Sequence, residues 1–270
     1  MKLLRTVKSE MSRTVCSWKF YVAMILPFLF LIVGSIDELR FWWDRPNYTD
    51  VFNFVTYIVP FGSFTTMMIL AACFPHSSSY CDDVRQQYSR LMLPRCRERN
   101  YCLAKIITGS ITGGVAASVG LLLFILFLRV QFPLVLSDSS MVNSYIIMRE
   151  THYCGELLYN EMYIGFFAAY VFSAFCFGAI CGALGITVSG FLPNPFVAMF
   201  VPFLLIQITE IIPVHLIGSW LLRPRHVLNG SFNIGGWGGS LAYTALFTFS
   251  VIMLCCVLFR LCVKRRLRNE

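Results

Sequence analysis

MYIGFFAAYVFSAFCFGAICGALGITVS, residues 162–189, runs for 28 positions without one charged side chain. A helix needs about 20 predominantly apolar residues to cross a hydrocarbon core of roughly 30 Å, so this stretch is long enough to span a bilayer. It contains Gly and Ser but no Pro. A helix satisfies its own backbone in lipid, so the reading is a transmembrane α-helix.

Working outward, five more segments fit the same description. Toward the carboxyl end they are residues 195–222 and 241–263, and toward the amino end 106–130, 51–74 and 18–36. The segment 195–222 is the most interrupted, by Glu210, Pro213 and His215. Composition agrees with six spans. Hydrophobic residues make up 57% of the 270-residue chain and charged residues 13%, with a mean hydropathy of +0.67. Soluble domains carry about 25% charged residues, and so few charges cannot cover a water-facing surface. The first span starts late and is followed by others, which speaks against a cleaved leader. The expected fold is all-α: a polytopic membrane helix bundle forming a single permease-like domain over residues 1–270.

Lys and Arg set the expected orientation. The amino-terminal stretch, the connection 75–105 and the carboxyl tail together hold 16 of the 22 basic residues, while nine of the 14 acidic residues fall in the other connections. With an even number of spans, both ends and the second connection lie in the cytoplasm of a plasma-membrane protein. The formal charge of +8 then follows from positive-inside bias and anionic membrane lipid, with no nucleic acid required. The eleven cysteines include no C-x-x-C and mostly fall in or beside spans, where Cys acts as a small hydrophobe.

Residues 1–17 and the two that follow place Leu4, Val7, Met11, Val15 and Trp18 at three- and four-residue spacing, with Lys2, Arg5, Lys8, Ser12 and Lys19 elsewhere. That pattern fits an amphipathic helix in the headgroup plane, or an ordinary basic flank before the first span. Small residues run down two spans, Gly109, Gly113, Ala117 and Gly120 in one and Ala174, Gly178, Gly182 and Gly185 in another. Such stripes let helix backbones approach closely, either within the bundle or across a dimer interface. Outside the predicted spans, Gly235, Gly236, Gly238 and Gly239 around Trp237 suggest flexible or re-entrant backbone.

The connection 75–105 is far longer than a hairpin needs. Ser77, Ser78 and Ser79 followed by Asp82 and Asp83 form a helix-start signal, with carboxylates near the positive end of the dipole. Val84, Tyr88 and Leu91 then share a face, and Pro94 ends the pattern. The spacing predicts a short amphipathic helix offered to a partner.

The run from Tyr80-Cys81-Asp82-Asp83-Val84-Arg85 to Tyr101-Cys102-Leu103-Ala104-Lys105 resembles the cytoplasmic loop of the type-2 ATP-binding-cassette permeases. In that family an acidic pair opens a coupling helix, and an aromatic-x-x-x-Lys begins the third span. The family's acidic-x-x-x-Gly segment is absent, since Arg85-Gln86-Gln87-Tyr88 contains no Gly. The resemblance implies a non-enzymatic permease subunit, paired with a second copy and docked on a separate cytoplasmic ATPase that binds the ATP. No G-x-x-x-x-G-K-[ST] occurs in the chain, in keeping with ATP bound elsewhere. It implies export of a hydrophobic or amphipathic substrate, such as a lipid-like molecule, an antimicrobial peptide or a drug. Asp82, Asp83, Val84, Arg85, Tyr88 and Leu91 are the expected ATPase-coupling residues.

Gln207 and Glu210 are the candidate substrate path or outer gate, because an intramembrane carboxylate is costly. Glu210 lies about 22 Å along its helix from Pro195, so it equally fits a helix end at the interface. Two other classes stay open, an intramembrane enzyme and a non-transporting scaffold or immunity protein. Against the first, His76, His152, His215 and His226 are scattered, and Glu210 and His215 lie on different helix faces. No metal or cofactor is expected on the chain, and no catalytic residue set is legible.

Overall fold

The computed structural model describes residues 2–45, 48–58, 64–87, 98–136, 154–216, 224–229 and 232–269. Among them every regular element is a helix. In chain order these are α1 (Lys2–Val15), α2 (Trp18–Gly34), α3 (Ile36–Trp42), α4 (Val51–Ile58), α5 (Phe64–Cys73) and α6 (Ser79–Arg85). They continue with α7 (Glu98–Gln131), α8 (Gly155–Tyr159), α9 (Tyr163–Phe191), α10 (Pro195–Leu216), α11 (Pro224–Asn229) and α12 (Gly236–Asn269). Three of them, α7, α9 and α12, are long and apolar enough to cross a membrane, and α1 with α2 makes a fourth if that bent pair is one span. The bend is 65° and falls at Ser17, whose extended backbone (φ −85°, ψ 136°) separates the two helices.

The helix read first from sequence, α9, is the centre of the bundle. Its most apolar window is 78% buried inside the chain, against 22% for that of α12. The reason is the small-residue stripe. A Cβ on Gly113 would lie 2.6 Å from the Gly178 carbonyl oxygen, and one on Gly178 would lie 2.5 Å from that of Gly113. Gly182 meets Gly109 in the same way one turn on. The stripes of α7 and α9 therefore face each other, backbone on backbone, and are used up within the chain. Gly120 does the same for α2, which brings the buried Pro27 against it. Phe124, Phe166, Tyr170 and Phe177 fill the core around this seam.

Within the expected span 51–74 the helices α4 and α5 are described, and residues 59–63 lie outside the described residues. Asp50 opens α4: its Oδ1 accepts the Asn53 N–H at 2.8 Å, an N-cap, and its Oδ2 accepts the Leu136 N–H at 2.9 Å. The helix α10 runs on through Pro213 to Leu216, beyond the interruption expected at Glu210 and Pro213. It begins cleanly, with Asn194 Oδ1 accepting the Phe196 N–H at 3.0 Å and Pro195 in the first turn.

The glycine-rich stretch is a tight turn that starts α12. Gly235 and Gly236 have φ of +64° and +81°, conformations that favour glycine. A Cβ on Gly236 would fall 2.8 Å from the Glu156 carboxylate, whose Oε2 accepts the Trp237 N–H at 3.2 Å. A carboxylate at a helix start suits the dipole. Cys73, Cys81, Cys102, Cys176, Cys181 and Cys255 are buried thiols that pack as small apolar groups.

Candidate functional site

At the end of the bundle where α1, α6 and the start of α7 converge, charge is buried. The helix α1 places Thr6, Glu10 and Thr14 at successive four-residue steps, and these polar side chains are its buried face. That face lies roughly 90° round the helix from the apolar stripe, at 100° per residue. Within that stripe Leu4 is 75% exposed and Trp18, just past the helix, 66%. The helix thus has a polar face for the protein, an apolar one that is half-buried at Val7, Met11 and Val15 and exposed at Leu4, and a basic third side.

The second contributor is α6. After α5 the chain turns through His76 and Ser79, with the Ser79 N–H donating to the His76 carbonyl at 2.9 Å and the Asp82 N–H to Ser78 at 3.0 Å. Helical spacing then carries Tyr80, Cys81 and Asp83 inward, leaves Asp82 and Val84 half-buried, and turns Arg85 out. The third contributor is the first turns of α7, where Tyr101 and Lys105, four apart, are both fully buried.

These residues meet around Asp83. Its Oδ1 lies 2.7 Å from Arg13 Nη1. Its Oδ2 lies 2.7 Å from Lys105 Nζ and accepts the Tyr101 hydroxyl proton at 2.7 Å. Lys105 Nζ is also 2.8 Å from Glu10 Oε2 and donates to Ser79 Oγ at 3.3 Å. Three oxygen-bearing groups thus surround an ammonium that carries three protons. The ammonium sits 5.7 Å from the centroid of the Tyr101 ring, close enough to be attracted to its face. Two carboxylates and two cations balance. Burying charge is costly unless it is paired, and here the buried Asp83, Glu10 and Lys105 are each in an ion pair, with Arg13 partly exposed at the edge.

His76 completes the cluster. Its Nδ1 is 2.7 Å from Thr14 Oγ1, and that hydroxyl gives its single proton to the Glu10 carbonyl at 2.9 Å. The imidazole is therefore the donor at Nδ1, a tautomer assigned from the hydrogen-bond network. Its Nε2 is buried with no hydrogen-bond partner among the described residues. Burial first, then the charges of Lys105 and Arg13, hold the imidazole well below its usual range, so it is neutral. Burial likewise pushes the Cys81 thiol up to about 11, with the Asp82 charge adding to it, which leaves a poor nucleophile.

Of the residues singled out from sequence, Asp83 is the hub of this cluster and is turned into the chain. Asp82 and Val84 flank it, Val84 packing against the small core of Tyr80, Tyr101, Ile106, Ile186 and Phe259. Arg85 is exposed, and the helix ends there, with Gln86 as its cap and Gln87 in the left-handed region at φ 54°. Tyr88 and Leu91 lie outside the described residues. Gln207 is half-buried on α10, and Glu210 is described as helical backbone alone. Glu10, Arg13, Thr14 and His76 were missed from sequence. One signal was present: Glu10 is the only acidic residue in the first 36, in a Thr6–Glu10–Thr14 polar stripe.

Compared with family models, curated proteins and solved structures, the chain gives no match.

Proposed function

We propose that this chain is the membrane-spanning permease subunit of an ATP-binding-cassette exporter. In this reading it crosses the plasma membrane six times with both ends in the cytoplasm and pairs with a second permease copy. A separate ATPase subunit supplies the energy to move a hydrophobic or amphipathic substrate outward. The observation that carries the proposal is the anchoring of α6 through Asp83 to Arg13 of α1 and to Tyr101 and Lys105 of α7. The two halves of the loop resemblance, the acidic pair and the Tyr101-x-x-x-Lys105 pair, meet in that one contact.

A coupling helix must be pushed without folding away from the bundle. Taking one partner from a buried ion pair costs about 3–5 kcal/mol, so the cluster resists being pulled apart. A force on α6 then moves α1 and α7 with it, and through the glycine seam it reaches α9. Arg85, Gln86 and Gln87, exposed at the end of α6, are left to face the ATPase.

The test uses the full chain co-expressed with the ATPase of its own operon or genome neighbourhood. Arg85→Glu should weaken co-purification. Lys105→Met weakens the bundle, and in the fraction that remains folded it should leave the pair associated but uncouple ATP hydrolysis from substrate efflux. Measurable ATP hydrolysis by the chain alone, or full coupling in Lys105→Met, would overturn the reading.

A further inference from the structure

We propose that a groove between α9, α10 and α12 holds one anionic phospholipid, its phosphate at Arg265 and Arg266 and its acyl chains in the cleft beside them. The groove has two parts. The first, about 600 Å³, is lined by Gly190, Phe191, Leu258 and Cys262 and by the two arginines. The second, about 400 Å³, has a wholly apolar lining that includes Val188, Val201, Leu205 and Leu254. Phe191 and Leu258 line both, so the two adjoin. Each volume falls in the range of about 300–1,000 Å³ that holds small-molecule ligands.

The register of α12 produces this polarity. Leu254, Leu258, Leu261 and Arg265 recur at three- and four-residue spacing and so form one stripe, apolar and then basic. Arg265 is about 10 Å along the axis from Leu258, which separates a headgroup from the chains beneath it. Phe191, Leu192 and Leu254 are more than half exposed, so the apolar cleft opens on the outer face of the bundle.

The arginines are available. Neither forms an ion pair or hydrogen bond with a described residue, and Arg266 Nη1 is shielded from solvent with its bonding capacity unused. A guanidinium so placed wants an oxygen acceptor, and a phosphodiester supplies one in a geometry Arg matches with two parallel bonds. The cleft leading away from it accepts hydrocarbon and offers nothing to a polar ligand. Basic pockets between helices at a membrane surface bind anionic headgroups on this principle. The inference requires only that this end of α12 lie at a bilayer surface, and it stands whether or not the chain serves an ATPase.

The full-length protein in detergent is titrated with phosphatidylglycerol or phosphatidylcholine of identical acyl chains, and bound lipid is counted by native mass spectrometry. Phosphatidylglycerol should bind roughly 30-fold more tightly, from two basic residues near one anionic group. Arg265→Gln with Arg266→Gln should bring that ratio close to one, while the corresponding Lys pair should keep most of it. Val201→Phe, which fills the cleft, should weaken both lipids and leave their ratio alone. Loss of the ratio in the Lys pair as well would mean the arginines act on the fold, and the proposal fails. It fails too if the Gln pair keeps the ratio, if Val201→Phe changes nothing, or if inorganic phosphate displaces the lipid as readily as competing phosphatidylglycerol does.

Discussion

Lys105 Nζ stands 2.7 Å from Asp83 Oδ2 with neither side chain reaching solvent. The two belong to different helices, and removing either leaves the cluster with one charge out of balance. Lys105→Met and Asp83→Asn should each therefore destabilise the bundle by about 3–5 kcal/mol. Together they should cost clearly less than their sum, because the second change relieves what the first exposed. Denaturant or thermal unfolding of the detergent-solubilised protein, run as a double-mutant cycle, measures this. Strict additivity would mean that the two are not coupled.

His76 makes the same cluster sensitive to acid. Its folded pKa lies below the ordinary 6.5, so the unfolded chain takes up a proton first as pH falls. Stability is then complete above about pH 6.5 and declines as pH drops toward the folded value. Melting temperatures across about pH 5–8 should show this fall, and His76→Gln should remove most of it without changing the slope above pH 7. An unchanged acid limb in His76→Gln would place the titrating group elsewhere.

The glycine seam gives a paired prediction. Gly113→Ala puts a methyl 2.6 Å from the Gly178 carbonyl oxygen and 2.8 Å from that of Ala72, both backbone and unable to swing aside. Overpacking of this kind costs about 1–3 kcal/mol. Gly34 near the end of α2 has nothing within 4 Å of an added Cβ, so Gly34→Ala should be neutral or stabilising, by up to about 1 kcal/mol. Comparing the two melts separates close approach from simple helix propensity.

The proposed topology predicts that Cys96 and cysteines introduced beside it in 95–99 are labelled only from the cytoplasmic side and those introduced at 137–140 only from outside. Maleimide labelling of intact and permeabilised cells, in a background where the exposed Cys16 is replaced, and Cys96 too for every site but its own, reads this directly. Reversed labelling would invert the orientation.

Helix content was legible in the sequence because it is a property of local runs. The uncharged stretch 162–189 predicts α9 almost to its ends, and the glycine spacing in 109–120 and 174–185 marks the faces that meet. The cluster was less legible, because its ions are paired across the chain. Arg13 and Asp83 are 70 positions apart, and no local pattern says that the loop's second acidic residue turns inward. The amino-terminal helix shows the same limit. Its apolar stripe could be read from spacing, whereas the role of Glu10 depended on a lysine 95 residues away. Of the loop helix expected from apolar spacing, α6 ends at Arg85 with Gln87 in the left-handed region, and Tyr88 and Leu91 lie outside the described residues.

The contact between Gly113 and Gly178 has a geometric corollary. Two helices whose main chains touch leave no lumen between them, so the α7–α9 pair is a solid partition. In the permease reading proposed above, a solute crossing beside one copy of this chain would have to travel around that partition. Its conduit would be bounded on one side by this protein and on the other by lipid or by a second molecule, much as a corridor needs a second wall.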